Sequence, residues 1–193
     1  MLKKVAVFVS GGGSNLQSLL DTTQNTYQVS LVISDKADAF GLQRAEQHGI
    51  KNLHIGKTNY QNATERTEKT LQLLKEHDID FIVLAGYLAI IPPEMIQEYP
   101  QKMLNIHPSL IPSFCGMGFY GHHVHDAVLK AGVKVSGATV HFVDEGVDTG
   151  KIIMQKAVDI SDLTTADEIA KAVLAVEHEI LPKALLSICE SKI

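Results

Sequence analysis

Asn105 and His107 stand two residues apart where an apolar segment gives way to Pro108-Ser109-Leu110-Ile111-Pro112-Ser113. On an extended strand that spacing puts both side chains on one face. An amide N–H and an imidazole N–H aimed at one point suit an oxygen that gains negative charge in a transition state. Prolines 108 and 112 restrict the backbone just beyond, so the pair marks a strand end opening into a constrained loop. An acidic loop, Asp144-Glu145-Gly146-Val147-Asp148-Thr149-Gly150, could bring a carboxylate to His107, orient its ring and favour the imidazolium. Without the Asn-His pair, the same loop is an ordinary solvated hairpin.

A third candidate is Ser10-Gly11-Gly12-Gly13-Ser14-Asn15, between the first apolar run and the first helical pattern. Glycines let the backbone approach an anion, and a helix N-terminus presents free N–H groups to it. Phosphate binding is favoured over a simple tight turn. The dinucleotide fingerprint is excluded, because Leu16 stands where its last glycine is required. Gly56-Lys57-Thr58 imitates the end of a Walker A loop, but Lys51 stands where the first glycine of that motif belongs, so it reads as a surface turn. His122, His123 and His125 lack partners at metal-ligand spacing and read as a solvated loop and helix start, with contact to an anionic ligand as the alternative. His141, among alternating apolar neighbours, reads as a satisfied core histidine.

The elements that must position these residues follow a βαβα grammar. Apolar runs at Val5–Ser10, Val29–Ser34, Asn52–Ile55, Asp80–Ala85 and Met103–His107 predict strands, and the segments between them carry helical patterns. These helices start after Gly13, span Ala39–His48 with Gly49 as the stop, span Asn62–His77, and open at Pro92-Pro93. Such alternation implies a parallel sheet with helices on both faces. After Gly121 a helix to Lys130 leads to strands Val135–Val143 and Lys151–Val158. A capping box, Thr165-x-x-Glu168, then opens a long final helix with Ile169, Val173, Val176 and Ile180 on one stripe. The fold class is α/β: a doubly wound, mostly parallel sheet with a mixed edge, in one domain over 1–193.

Bulk properties narrow the function. The chain has 193 residues, 45% hydrophobic and 20% charged, with a formal net charge of −5 spread along its length. That balance lacks the basic stripe of a nucleic-acid binder. Cys115 and Cys189 give neither a disulfide framework nor a metal spacing, which fits a reducing cytoplasm. The first apolar run enters a glycine loop too early for a signal peptide, and Phe81–Ile91 is far shorter than the roughly 20 residues of a membrane span. Ser191-Lys192-Ile193 is near a peroxisomal address, a chance-level match. Asn62-Ala63-Thr64 is a glycosylation sequon without meaning in a cytoplasmic chain.

Several motifs occur together in an order that is seen in one enzyme family. They are Gly-Gly-Gly-Ser-Asn-Leu, Val-Leu-Ala-Gly-Tyr-Leu, Asn-Ile-His-Pro-Ser-Leu-Ile-Pro-Ser-Phe, Thr-Val-His-Phe-Val-Asp-Glu, Asp-Thr-Gly and Glu177-His178. From end to end the chain resembles the phosphoribosylglycinamide formyltransferases, the glycinamide ribonucleotide transformylases of purine synthesis, with a Rossmann-like formyltransferase fold. The resemblance implies formyl transfer from 10-formyltetrahydrofolate, as co-substrate, to the amine of glycinamide ribonucleotide, with no metal. It implies catalytic roles for Asn105, His107 and Asp148, the first two on a tetrahedral oxyanion and Asp148 in keeping His107 protonated and moving the proton. It places the ribonucleotide on Gly12, Gly13, Ser14 and Asn15, with Glu177 near the sugar. It places the pterin against Leu88, Ala89, Ile90 and Ile91 and the loop Asp144, Glu145, Gly146 and Val147.

The chain departs from that pattern where relatives carry a basic residue at Ala89, an Arg near Ala63 and Pro at Lys151. Arg66 is the nearest candidate for the folate tail. Cys115-Gly116 replaces a common Pro-Gly and leads into a longer loop. The alternative is formyltetrahydrofolate deformylase, a hydrolase, which normally adds an N-terminal regulatory domain, whereas this chain begins at its first strand. Methionyl-tRNA formyltransferase would need a C-terminal RNA-binding domain and more positive charge. The expected partners are therefore small molecules, with no nucleic acid and no membrane, and a homodimer is left open.

Overall fold

The computed structural model describes residues 2–190. The Ser191-Lys192-Ile193 address lies outside the described residues. In chain order the elements are β1 (Lys3–Val9), α1 (Ser14–Asp21), β2 (Tyr27–Ser34), α2 (Phe40–Gln47), β3 (Lys51–His54), α3 (Ala63–Glu76), β4 (Phe81–Leu84), α4 (Pro93–Glu98), β5 (Met103–His107), α5 (His122–Ala131), β6 (Val135–Phe142), β7 (Ile152–Asp159) and α6 (Ala166–Glu190). Every expected strand and helix is present. β2 starts earlier than its apolar run because Lys3 of β1 pairs with Tyr27 in the parallel ladder.

The strand order is β3-β2-β1-β4-β5-β6-β7. β1 to β5 pair in parallel, whereas β6 pairs antiparallel with both β5 and β7. Alternation along β1 shows why both faces are covered. Val5, Val7 and Val9 enter a core with residues of α1, α2, α5 and α6, while Ala6 and Phe8 enter a second core with residues of α3 and α4. A strand buried on both faces must be apolar throughout, which explains the unbroken Phe81-Ile-Val-Leu84 run.

Packing holds the long final helix more than its cap does. Thr165 and Glu168 close the capping box reciprocally: the Glu168 N–H donates to Thr165 Oγ1 at 3.2 Å, and the Thr165 N–H donates to Glu168 Oε2 at 3.0 Å. Such a cap contributes about 1 kcal/mol. Burial of Ile169, Val173, Ile180, Leu181 and Leu185 contributes ~1.5–3 kcal/mol for each side chain.

Chain connections run from β1 toward β2 on one side, whereas β4 leads to β5 on the other. The carboxyl ends of β1 and β4 therefore flank a topological switch point, where the loops diverge and leave a crevice. β5 ends beside it, carrying Asn105 and His107.

Candidate active site

A cleft of about 560 Å³ opens over the ends of β1, β4 and β5. Asn105, His107 and Asp148 all line it. β5 supplies the first two on one face. The third arrives on the β6–β7 loop through a backbone turn in the left-handed region, with φ 58° at Asp148. The loop returns close to the sheet, and Gly150 makes this possible: a Cβ there would overlap the Phe142 carbonyl.

Around Asp148 the groups form a connected cluster. His107 Nδ1 lies 3.5 Å from Asp148 Oδ2, and the Gly116 N–H donates to that same oxygen at 3.0 Å. Asn105 Nδ2 lies 3.4 Å from Asp148 Oδ1 and 3.1 Å from His141 Nε2. His107 Nε2 is 2.9 Å from the Phe114 carbonyl, and His141 Nδ1 is 2.8 Å from the Phe142 carbonyl. A carbonyl only accepts, so Nε2 of His107 and Nδ1 of His141 carry protons. His141 Nε2 is then free to accept from the Asn105 amide, which orients that amide. Contacts to Asp148 of 3.4–3.6 Å are long for hydrogen bonds. Catalytic contacts of this kind tighten when substrate is bound.

The electrostatics correct one expectation. Burial is the largest influence on His107 and lowers its pKa, and Asp148 and the Phe114 carbonyl only partly oppose it. The net direction is down from the ordinary 6.5, so the resting ring favours the neutral form rather than the imidazolium. Desolvation outweighs a carboxylate held at 3.5 Å. Burial would raise Asp148, but the facing His141 and His107 rings and the Gly116 N–H together hold its carboxyl below the ordinary value. Asp148 is thus ionised at neutral pH.

The remaining predicted residues separate. Leu88, Ala89, Ile90 and Ile91, and Asp144, Glu145, Gly146 and Val147, all line the cleft. Of the first four, Ile91 belongs to the second core, whereas Leu88 is 53% and Ile90 71% exposed. Asn15 and Glu177 also line the cleft and meet there, with the Asn15 amide donating to Glu177 Oε2 at 2.6 Å. Burial pushes the Glu177 carboxyl up to about 7 against the opposing pull of Asn15.

Gly12, Gly13 and Ser14 do not line the main cleft. The Gly12 carbonyl accepts from Arg44 Nε at 2.8 Å. Gly13, with φ 69°, faces α2, where a Cβ would lie 2.6 Å from the Gly41 Cα. Ser14 lines a smaller neighbouring cleft with Arg44 and His178. α1 nevertheless begins with no side-chain cap, so its first-turn N–H groups lack side-chain acceptors. Arg66 does not line the main cleft, and its guanidinium donates to the Tyr60 and Gln61 carbonyls.

One histidine was misread from sequence, and another was read only in part. His141 is buried and hydrogen-bonded as expected, yet it faces Asn105 across the β5–β6 ladder and joins the cluster. His125 stands in the helix start, as read, but is not solvated: it is 6% exposed, lines the cleft and has an unpartnered Nδ1. Its spacing with Val124 and Val128 on the buried face of α5 was the available signal. Burial and the His122 charge lower its pKa to about 4. His122 is exposed as expected and pairs with Asp126 and Asp167. Among the described residues, no group of three or more His, Cys, Asp or Glu side chains is placed to hold a metal ion. Among them, too, no helix is long and apolar enough to cross a membrane.

Comparison with known proteins gives a consistent result. The Formyl transferase family matches residues 3–185. Phosphoribosylglycinamide formyltransferase of Bacillus subtilis is 36% identical over 187 residues, covering 95% of this chain and 93% of its own. The chloroplastic enzyme of that name from Arabidopsis thaliana is 41% identical over 99% of this chain and 67% of its own. The crystal structure of glycinamide ribonucleotide transformylase 1 from Symbiobacterium toebii superposes with a TM-score of 0.90 at 38% identity, covering 98% of this chain and 88% of that one. Several plant and animal relatives are longer, and the chain spans 62% of the Vigna unguiculata protein and 18% of the human trifunctional purine biosynthetic protein. With a doubly wound sheet, a cleft at its switch point and likeness along nearly the whole chain, the protein belongs to the phosphoribosylglycinamide formyltransferase family.

Proposed function

We propose that the chain, acting as one cytoplasmic domain, transfers the formyl group of 10-formyltetrahydrofolate to the amine of glycinamide ribonucleotide. The observation that carries this reading is the Asn105–His107–Asp148 cluster at the floor of a cleft with apolar and polar ends. The amine attacks the formyl carbon, and the carbonyl oxygen gains the charge. Asn105 donates an amide N–H to it, and His107 its Nε2–H, which the Phe114 carbonyl accepts in the absence of substrate. The developing charge opposes the desolvation that keeps His107 neutral at rest, so the ring gains proton affinity as the oxyanion forms. Ionised Asp148 accepts, through water, the proton that the attacking amine loses. As the intermediate collapses, the bond from the formyl carbon to N10 breaks and that proton passes to N10. Tetrahydrofolate then leaves, with the formyl group on the amine. His141 holds the Asn105 amide in register.

The two ends of the cleft suit the two substrates. Leu88, Ala89, Ile90 and Ile91, facing Asp144 to Val147, form an apolar slot edged by backbone polar groups, which fits a flat pterin. Asn15 and Glu177 offer the ribose hydroxyls a polar wall, and the uncapped start of α1 offers the phosphate free N–H groups. No residue in this scheme calls for a metal.

Steady-state assays of His107→Ala and Asn105→Ala test the oxyanion assignment. Each is expected to lose roughly 10²–10³ in rate while circular dichroism stays that of the wild type. Turnover within a few-fold of wild type in either variant removes that residue from the mechanism.

A further inference from the structure

The segment 87–91, which forms one wall of the apolar slot, is held in an unusual way. Its ends are anchored, Ile91 in the second core and Tyr87 edge-on to Phe8, but Leu88 and Ile90 between them are mostly exposed. Its backbone makes one hydrogen bond among the described residues: the Leu88 N–H donates to Ser10 Oγ at 2.8 Å. The N–H groups of Ala89, Ile90 and Ile91 have no partner among those residues. Ser10 Oγ in turn donates to Asp35 Oδ1 at 2.5 Å. Asp35 follows β2, Ser10 follows β1 and Leu88 follows β4, so one chain of hydrogen bonds crosses three neighbouring strand ends.

The direction of that chain matters. A hydroxyl is a free rotor that donates or accepts. The Asp35 carboxylate takes the Ser10 proton, which turns the lone pairs of Oγ toward the Leu88 N–H and strengthens them as acceptors. The acceptor fixes the Tyr87–Leu88 peptide plane. With that plane set at one end and Ile91 held in the core at the other, fewer arrangements are open to the unpartnered N–H groups between them. The Ser10 N–H adds a bond to the Gly86 carbonyl at 3.2 Å, just before the segment.

We propose that Ser10, oriented by Asp35, is a positioning residue for the folate co-substrate: it preorganises the backbone of 87–91 to receive a heterocycle with alternating donors and acceptors. The proposal rests on the formyl-transfer reading above, which puts folate in that slot. Ser10 also opens the glycine loop assigned to the ribonucleotide, but its hydroxyl is committed to the folate side. Loss of the hydroxyl should therefore weaken one substrate and spare the other.

The test compares Ser10→Ala, Ser10→Thr and Asp35→Asn in the whole protein, with KM for each substrate and direct titration with 10-formyltetrahydrofolate. Ser10→Ala is expected to raise the folate KM and Kd about tenfold, the scale of one lost hydrogen bond, with kcat reduced less than that. The ribonucleotide KM should change less than about twofold. Ser10→Thr restores the hydroxyl and should restore folate affinity, and Asp35→Asn, which keeps an acceptor, should fall between. A wild type that binds folate, with Ser10→Ala binding it equally well, overturns the positioning role alone. So does a Ser10→Ala in which both KM values and the melting temperature move together, because that is a general structural effect. A wild type that binds no folate overturns the formyl-transfer reading and the positioning role with it.

Discussion

At the residue scale, the balance of charge and burial around His107 decides what the site can do. Asp148 is the main influence that raises the pKa of His107 against desolvation. Asp148→Asn should therefore push His107 further below 6.5, a change that an NMR titration of the ring reads directly. An unchanged His107 titration would show that Asp148 does not couple to it. Glu177 behaves oppositely to a paired carboxylate, because burial raises it from 4.5 to about 7. Between those values the folded state holds a proton that the unfolded chain releases, so the contribution of Glu177 to stability is fully present below about pH 4.5 and is lost as pH rises through about 7. Glu177→Gln should flatten that part of the stability curve, and denaturant midpoints measured at acid and neutral pH check it. The Asn105–His107 pair was legible because strand spacing and residue chemistry are local properties, whereas Asp148 was singled out from the acidic loop only by the family resemblance. The resting charge of His107 was not, because desolvation depends on what the whole fold packs over the ring. His141 was hidden for a related reason: its partner, Asn105, is set by antiparallel register and not by sequence distance.

At the element scale, the glycine loop serves packing as well as any ligand. Gly13 combines φ 69° with a close approach of α1 to α2, and a Cβ would stand 2.6 Å from the Gly41 Cα. Gly13→Val should cost on the order of 1–3 kcal/mol through backbone strain alone, read as a lower urea midpoint. It should also weaken ribonucleotide binding more than folate binding, since the uncapped N-terminus of α1 shifts with it. Equal loss for both substrates would disconnect the loop from the ribonucleotide. The capping box is a smaller, cleaner test. Thr165→Ala should cost about 1 kcal/mol with no change in KM, because Thr165 does not line the cleft. Strand and helix identities were readable from periodicity, since β1 and β4 are apolar through their full burial. The path of the longer loop after Phe114 was not. It is set by non-local contacts, such as the Gly116 N–H on Asp148, that no sequence pattern announces.

At the scale of the whole molecule, the parallel sheet creates one crevice at its switch point, and the chemistry-bearing loops of β1, β4, β5 and β6 converge there. Doubly wound order was expected from the βαβα grammar, and the mixed edge from the change after Gly121. Which loops face each other across the crevice needed the structure, and it brought Glu177 to Asn15 from the far end of the chain. The net charge of −5 leaves recognition of an anionic substrate to local donors rather than to the field of the whole protein. A cleft that assembles oxyanion donors can pass a formyl group to an amine or to water, so dependence on the acceptor is the decisive property. The direct measurement follows folate absorbance during incubation with 10-formyltetrahydrofolate, with and without glycinamide ribonucleotide. Formyl transfer predicts rapid conversion only when the ribonucleotide is present, with one formylated ribonucleotide formed per folate consumed. Equally fast conversion without it would contradict transfer and make the protein a hydrolase.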